Sequence, residues 1–221
     1  METLSRLHVA PYSKGEEIAN VITHGLGALL AVVGLYILGV EANLTGDLWK
    51  LGSSITFGLC MIACYLCSTL YHAVTELELK HRMRIADHIG IYLMIAGSYT
   101  PFVLVTMHGW IGWSFFVLIW GCAITGIVMR LWNHNVPDYV SAAPYVIMGW
   151  LAIFAIKPLF DALGWEGMGP VSYTHLTLPT IPPVYLLYVA AFTIQTHLLF
   201  LSMQHTRPYT PSTLFSLTTP P

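Results

Sequence analysis

The stretch LGSSITFGLCMIACYLCSTLYH, residues 51–72, is almost entirely apolar and is as long as a membrane-crossing helix. A helix needs about 20 predominantly apolar residues to cross the hydrocarbon core of a bilayer. This run ends with a serine and a histidine, Ser68 and His72, in an otherwise apolar setting. Four residues are about one helical turn, so both side chains share one face of the helix. The stretch therefore predicts a transmembrane helix with a polar pair at its end.

The rest of the chain has the same character. Of its 221 residues, 56% are hydrophobic and only 9% are charged, and the mean hydropathy is +0.66. Soluble domains carry about 25% charged residues, so this composition excludes an ordinary soluble domain. The net charge of −2 gives no indication of a nucleic-acid partner. We predict an all-α, polytopic transmembrane helix bundle.

Apolar segments of spanning length recur along the sequence. Five spans are predicted, followed by a sixth and weaker one: Asn20–Val40, Leu48–Tyr71, His88–Met107, Trp110–Leu131, Val140–Phe160 and Val184–Met203. The four cysteines fall inside two of these spans, where small residues pack between helices, so no disulfide framework is predicted. Pro101 predicts a kink in the third span, with Ser98 and Thr100 satisfying the freed carbonyl.

The distribution of Lys and Arg predicts which end of the bundle faces the cytoplasm. With the N-terminus inside, the cytoplasmic segments hold six basic residues: Arg6, Lys14, Lys80, Arg82, Arg84 and Arg130. The outer segments then hold two, Lys50 and Lys157. Cytoplasmic loops of membrane proteins carry an excess of basic residues, so a cytoplasmic N-terminus is predicted. The cluster KHRMR, residues 80–84, is interpreted as a topology signal.

Polar residues of three predicted spans fall near the same cytoplasmic end. Glu17, Asn20 and His24 are three and four residues apart and form one stripe at the start of the first span. The second span closes with the polar pair described above, and Asp87 is expected in the first turn of the third. Ionisable groups in a membrane are costly unless partnered, so their shared depth predicts a functional site. An interhelical hydrogen-bond cluster that only holds the bundle together is the alternative.

These residue types suit a metal-assisted hydrolysis. A neutral histidine in an apolar cavity is a good Zn²⁺ ligand, and a nearby carboxylate can hold a metal-bound water and accept its proton. His72 is the candidate ligand and Asp87 the candidate carboxylate, while Ser68 would orient the water or a substrate carbonyl. Supporting residues come from the stripe of the first span: Glu17, Asn20 and His24. For Glu17 and Asn20 the purely structural alternative stays open, since an acid near a helix N-terminus also stabilises that terminus.

Three segments carry a resemblance to a known family: EEIANVITHG, STLYHAV and DHIGIYLMIAGSYTPF. Together they resemble the hemolysin III family, the bacterial branch of the progestin and adipoQ receptor group, over about residues 14–167. The first family motif corresponds to the Glu–Asn–His stripe of the first span. The second corresponds to the Ser–His pair followed by Asp87.

The resemblance implies a fold, a cofactor and an activity. The fold is a seven-helix bundle with a cytoplasmic N-terminus, in the plasma membrane of a bacterium. The cofactor is Zn²⁺ near the cytoplasmic face, with His72 as a ligand, Asp87 holding the zinc-bound water and Ser68 as a further site residue. Two more ligands come, in the family, from a His-x3-His motif of the seventh helix. The activity is hydrolysis of an amide or ester bond in a membrane lipid, and no oligomeric state is implied.

The sequence departs from the family pattern after Met168. No His-x3-His motif occurs in these 221 residues. The segment VSYTHLTLPTI, residues 171–181, resembles a translated sequencing adapter, and the end is rich in Pro, Thr and Ser. We expect residues 1–168 to form a hemolysin-III-like membrane domain and residues 169–221 to be a chimeric or disordered tail, the alternative being a divergent tail with the sixth span. A catalytic zinc needs about three protein ligands, so poor zinc binding is expected.

Three functions remain open from the sequence. The first is a zinc-dependent lipid hydrolase, as the family site implies. The second is a non-enzymatic protein that perturbs or permeates bilayers, as the family name suggests. The third is a signalling receptor, which is less favoured because the sequence predicts no sizeable domain outside the membrane.

Overall fold

The computed structural model of the chain describes residues 12–132, 138–151, 153–158 and 160–161, with only the backbone described for residues 138–143. These residues are almost wholly helical. Five α-helices follow one another: α1 Lys14–Leu44, α2 Leu48–Ala73, α3 Leu77–Pro101, α4 Gly109–Trp132 and α5 Asp138–Trp150. One π-helical turn, Phe102–Thr106, directly continues α3.

Four helices of the described chain are long and apolar enough to cross a membrane: α1, α2, α3 with its π-helical turn, and α4. This confirms the predicted polytopic helical bundle and its first four spans. The fifth predicted span, Val140–Phe160, corresponds to α5 and a helical segment at 153–158, and the structure describes it only in part. The sixth, Val184–Met203, lies outside the described residues, as does the predicted tail.

Short connections make α1, α2 and α3 antiparallel neighbours. Residues 45–47 join α1 to α2, and residues 74–76 join α2 to α3. The start of α1, the end of α2 and the start of α3 therefore lie at one end of the bundle, which is called the site end below. At this end α1 begins with a capping box, in which Ser13 Oγ accepts from the Glu16 amide and the Glu16 carboxylate accepts from the Ser13 amide.

Helix α3 begins earlier than the sequence predicts. Its first residue is Leu77, so Asp87 lies nearly three turns inside the helix rather than in its first turn. The expectation was wrong because hydropathy marks the apolar part of a helix and not its start. The residues before the span, such as Lys80 and Arg82, are good helix formers and extend α3 beyond its apolar part.

Close packing joins α2 to α3. A Cβ atom on Gly90 would lie 3.0 Å from the Cys64 Cα, and one on Gly97 would lie 2.6 Å from the Cys60 Cβ. Glycine is therefore needed where the two helices approach, as is typical of helix pairs in membranes. All four cysteines are free, and Cys60 and Cys64 lie where α2 approaches the glycines of α3.

Pro101 ends the α-helical part of α3 without the predicted hydrogen bonds. The hydroxyl groups of Ser98 and Thr100 donate to Ile95 O and Ala96 O, and not to Gly97 O, the carbonyl to which Pro101 has no N–H to donate. The helix continues instead as the π-helical turn, in which the Met107 amide donates to Phe102 O at 2.8 Å. The indole Nε1 of Trp120 donates to Thr100 Oγ1 at 3.1 Å and so ties α4 to this part of α3.

Candidate functional site

Three helix termini bring polar side chains together at the site end. Glu17 and Asn20 come from the first two turns of α1, His72 from the last turn of α2, and Lys80 from the first turn of α3. The buried stripe of α2 contains both Ser68 and His72, which are 7% and 8% exposed. The short connection at residues 74–76 folds α3 back over the end of α2, so groups distant in sequence become neighbours.

His72 is held mainly by the Glu17 carboxylate. Its Nδ1 lies 2.7 Å from Glu17 Oε2 and 3.4 Å from Asn20 Nδ2. A neutral imidazole carries one hydrogen, and an ionised carboxylate can only accept, so Nδ1–H donates to Glu17. The longer contact to the Asn20 amide nitrogen cannot then be a donation to Nδ1, so Glu17 is the hydrogen-bond partner of that atom. His72 Nε2 is left with the lone pair.

Aromatic rings surround His72. The Tyr71 ring centroid lies 4.7 Å away, and Tyr12, just before α1, meets the imidazole edge-on at 5.4 Å. The His24 ring stacks parallel to His72, with centroids 5.8 Å apart and planes 10° from parallel. His24 Nδ1 donates to Asn20 O at 2.9 Å, so its lone pair is also on Nε2. The site therefore holds two imidazoles of the same tautomer.

Among the described residues, Asp87 makes no hydrogen bond or ion pair with Glu17 or His72. Its carboxylate interacts electrostatically with His24 and with the Cys64 and Cys67 thiols, between α2 and α3. The contacts that the described residues show for Asp87 are electrostatic rather than hydrogen bonds. The structure thus brings Glu17, Asn20 and His24 directly around His72.

Two contacts of the site were not predicted from the sequence. Lys80 Nζ lies 2.6 Å from Glu17 Oε1. From the sequence, Lys80 is interpreted only as part of the basic cluster at residues 80–84 that signals topology. Tyr12 packs on His72 from a segment outside every predicted span. A signal for Lys80 did exist, because a carboxylate at a membrane helix needs a partner and Lys80 is the first base after the short α2–α3 connection.

The described residues do not form a complete metal centre. Among them, no group of three His, Cys, Asp or Glu side chains is placed to hold a metal ion. A catalytic zinc needs about three protein ligands. The arrangement of His72 does match that of one metal ligand, since ligating histidines usually donate their other N–H to a carboxylate. The described residues therefore supply one zinc ligand, His72, and the Glu17 carboxylate that supports it, but not a complete zinc site.

Comparison with known proteins identifies the family. The profile of the family described as Haemolysin-III related matches residues 12–198. The Hemolysin-3 homolog of Bacillus subtilis is 41% identical over 168 residues, which are 74% of this chain and 79% of the relative. The Hemolysin-3 of Bacillus cereus is 42% identical over 152 residues, 69% of either chain.

A more distant relative is human. The Monocyte to macrophage differentiation factor of Homo sapiens is 26% identical over 156 residues, 68% of this chain and 64% of that protein. The resemblance in the first three helices is thereby confirmed. The profile match over most of the sequence and the four apolar helices show that the chain is a multi-pass membrane protein of the haemolysin-III related family.

Proposed function

We propose that the site end is a hydrolytic site that acts on an amide or ester bond of a membrane lipid. The observation that carries the proposal is the 2.7 Å contact between His72 Nδ1 and Glu17 Oε2 in a buried, aromatic-lined setting. A carboxylate–histidine pair leaves Nε2 as a base or a ligand, which a purely structural contact does not require. A lipid is the substrate class because the site lies between membrane helices.

The chain's own residues have distinct roles in this proposal. Glu17 keeps the hydrogen on His72 Nδ1 and stabilises the imidazole when positive charge develops on it. Ser68, one turn before His72, donates a hydrogen bond to the substrate carbonyl. Asp87 accepts a proton from the attacking water, and the apolar surroundings exclude other water.

Zn²⁺ is the proposed cofactor of the family site. When bound, it would polarise the scissile carbonyl and make water nucleophilic near neutral pH. Of the described residues, His72 is the one we propose as a ligand, supported by Glu17. Because the described residues do not assemble three ligands and the sequence contains no His-x3-His motif, we expect the protein to hold zinc weakly. Metal analysis of protein purified without chelator should find well under one zinc per chain, and one tightly held zinc would contradict this.

Hydrolysis is tested with the purified protein in vesicles that contain an N-acyl sphingosine and a phosphatidylcholine. Fatty-acid release is measured by mass spectrometry with and without added Zn²⁺. We expect release that needs added Zn²⁺ and falls at least about 100-fold in His72→Ala, a loss typical of removing a central catalytic group. His108→Asn is the matched control, because His108 is exposed at the other end and asparagine tolerates its φ of 41°.

A second candidate function is permeation of the bilayer without chemistry. It is favoured by the name Hemolysin-3 of the Bacillus cereus relative and by the apolar side chains that α1 and α4 leave exposed. Erythrocyte leakage that is equal for the wild type and His72→Ala, without fatty-acid release, would favour this function over hydrolysis. Loss of both leakage and release in His72→Ala would make leakage a consequence of hydrolysis.

We also propose that the N-terminus and the site end face the cytoplasm of a bacterial plasma membrane. The excess of basic residues in the segments at this end supports the orientation, and the two Bacillus relatives support the host class. A fluorescent protein fused before residue 1 should fold and fluoresce, while alkaline phosphatase fused there should be inactive. Active phosphatase would show that the N-terminus lies outside the cytoplasm and that the proposed orientation is wrong.

A further inference from the structure

Lys80 is a buried cation at the site end. It is 8% exposed, and its side chain arises from the first turn of α3. Burying an ammonium group is costly unless the charge is paired and its hydrogen bonds are made. A lysine needed only as a topology signal would lie in the headgroup region, where its charge costs nothing. Its burial therefore calls for a specific structural reason.

The Lys80 ammonium group has all three of its hydrogens directed at acceptors. Nζ lies 2.6 Å from Glu17 Oε1, 3.3 Å from Tyr71 O and 3.2 Å from Val74 O. An ammonium group has three donors, so these contacts saturate it. Nζ also lies 5.0 Å from the centroid of the Tyr71 ring, within the range of a cation–π contact.

These contacts join three helices through one atom. Tyr71 O and Val74 O are carbonyls at the end of α2, which have no partner within their own helix and favour a cation. Glu17 belongs to α1 and Lys80 to α3. The last turn of α2, which carries His72, is therefore fixed relative to both neighbouring helices.

The two oxygens of Glu17 have different partners. Oε1 accepts from Lys80, and Oε2 accepts from His72 Nδ1. The ammonium group favours the ionised carboxylate, which can only accept hydrogen bonds. The carboxylate thus cannot rotate away from His72 without breaking its contact with Lys80.

We propose that Lys80 is a positioning residue for this site: through Glu17 it keeps the hydrogen of His72 on Nδ1 and the lone pair on Nε2. That the Nε2 lone pair takes part in hydrolysis rests on the proposed function. That the hydrogen lies on Nδ1 does not. Lys80 contacts neither substrate nor metal in this scheme and acts on His72 through the carboxylate alone.

The test measures the His72 tautomer directly. Protein labelled with ¹⁵N-histidine is reconstituted in lipid at alkaline pH, where the imidazole is neutral, and solid-state NMR distinguishes protonated from unprotonated ring nitrogens. His72→Ala assigns the signals by their loss. We expect the wild type to hold the hydrogen on Nδ1, and Lys80→Met, which keeps the length but removes the charge, to give a mixture of both tautomers.

The chain offers a matched control on the same helix. Arg82 lies two residues from Lys80 and pairs with Glu78 at 2.6 Å, but this pair is exposed and does not touch His72. Arg82→Met removes one positive charge from the same helical turn, and we expect it to leave the tautomer unchanged. Lys80→Arg, which keeps the charge, should retain the wild-type tautomer. If Lys80→Met does not fold, Lys80→Gln, which keeps hydrogen-bond donors but removes the charge, should give the mixture instead.

Distinct results separate this proposal from the hydrolase proposal. A mixed tautomer in Lys80→Met supports the positioning role even if the wild type releases no fatty acid. A hydrogen that remains on Nδ1 in folded Lys80→Met overturns it, as does a wild-type hydrogen on Nε2. An equal tautomer change in Arg82→Met would also overturn it, because the effect would then follow from net charge alone.

Discussion

Contacts between polar side chains distant in sequence distinguish the site end of the bundle from the hydrogen bonds that cap α2 at the other end. At the site end, the contact between Glu17 and His72 joins residues 55 positions apart. At the other end, Thr45 Oγ1 donates to Ala42 O, and Asp47 Oδ1 accepts from the Trp49 amide, two or three residues away. Local hydrogen bonds satisfy a helix terminus and need no other helix. Long-range bonds depend on the tertiary fold, so they are the ones that indicate a site.

The largest effect is expected from breaking the long-range network. Glu17→Leu leaves Lys80 buried without its counter-charge, and we expect the free energy of unfolding to fall by about 3 kcal/mol, at the low end for a broken buried pair because Glu17 is 20% exposed. Far-UV circular dichroism during unfolding in mixed micelles measures this.

Glu78→Leu is the control for that variant. It breaks the exposed Glu78–Arg82 pair of the same helix, which should cost at most about 0.5 kcal/mol. Equal losses in the two variants would mean that the site-end pair contributes no more than a surface pair.

A smaller effect is expected where α2 and α3 approach near Asp87. Gly90→Ala places a Cβ 3.0 Å from the Cys64 Cα, so α3 must shift, and we expect a loss of about 1–2 kcal/mol. Gly52→Ala has no atom within 4 Å of the new Cβ and should gain up to about 1 kcal/mol from helix propensity. The same unfolding experiment checks the sign of each change in the free energy of unfolding. Stabilisation by both variants would show that α2 and α3 are packed less tightly at Gly90 than the 3.0 Å approach indicates.

The smallest effect is expected at the opposite end. Asp47→Ala removes the N-cap of α2 and should cost about 1 kcal/mol. The ¹⁵N signals of His72 should not move, because the hydrogen bonds of Asp47 stay within its own helix terminus. A change of the His72 tautomer in this variant would mean that the two ends are coupled through α2.

The helical bundle and the gathering of these polar residues at one end followed from sequence because both depend on local spacing. The stripe from Glu17 to His24 and the pair Ser68–His72 follow from helical periodicity, and the structure places them at one end. The contact between Lys80 and Glu17 was not predicted because it depends on the three-residue connection that turns α3 back over α2, which hydropathy does not report. The position of Asp87 was misjudged for the related reason that a helix can extend beyond its apolar part.

The π-helical turn after Pro101 contains one residue more than an α-helical turn. The extra residue is accommodated within Phe102–Thr106. The helical segments before and after this turn therefore keep the faces that they present to the rest of the bundle. Deleting one residue there would convert the wide turn to an ordinary one without rotating either side. A deletion between Lys80 and Asp87, by contrast, would turn both Asp87 and Gly90 by about 100° relative to Lys80. This segment is thus where the chain can change length at least cost to its geometry.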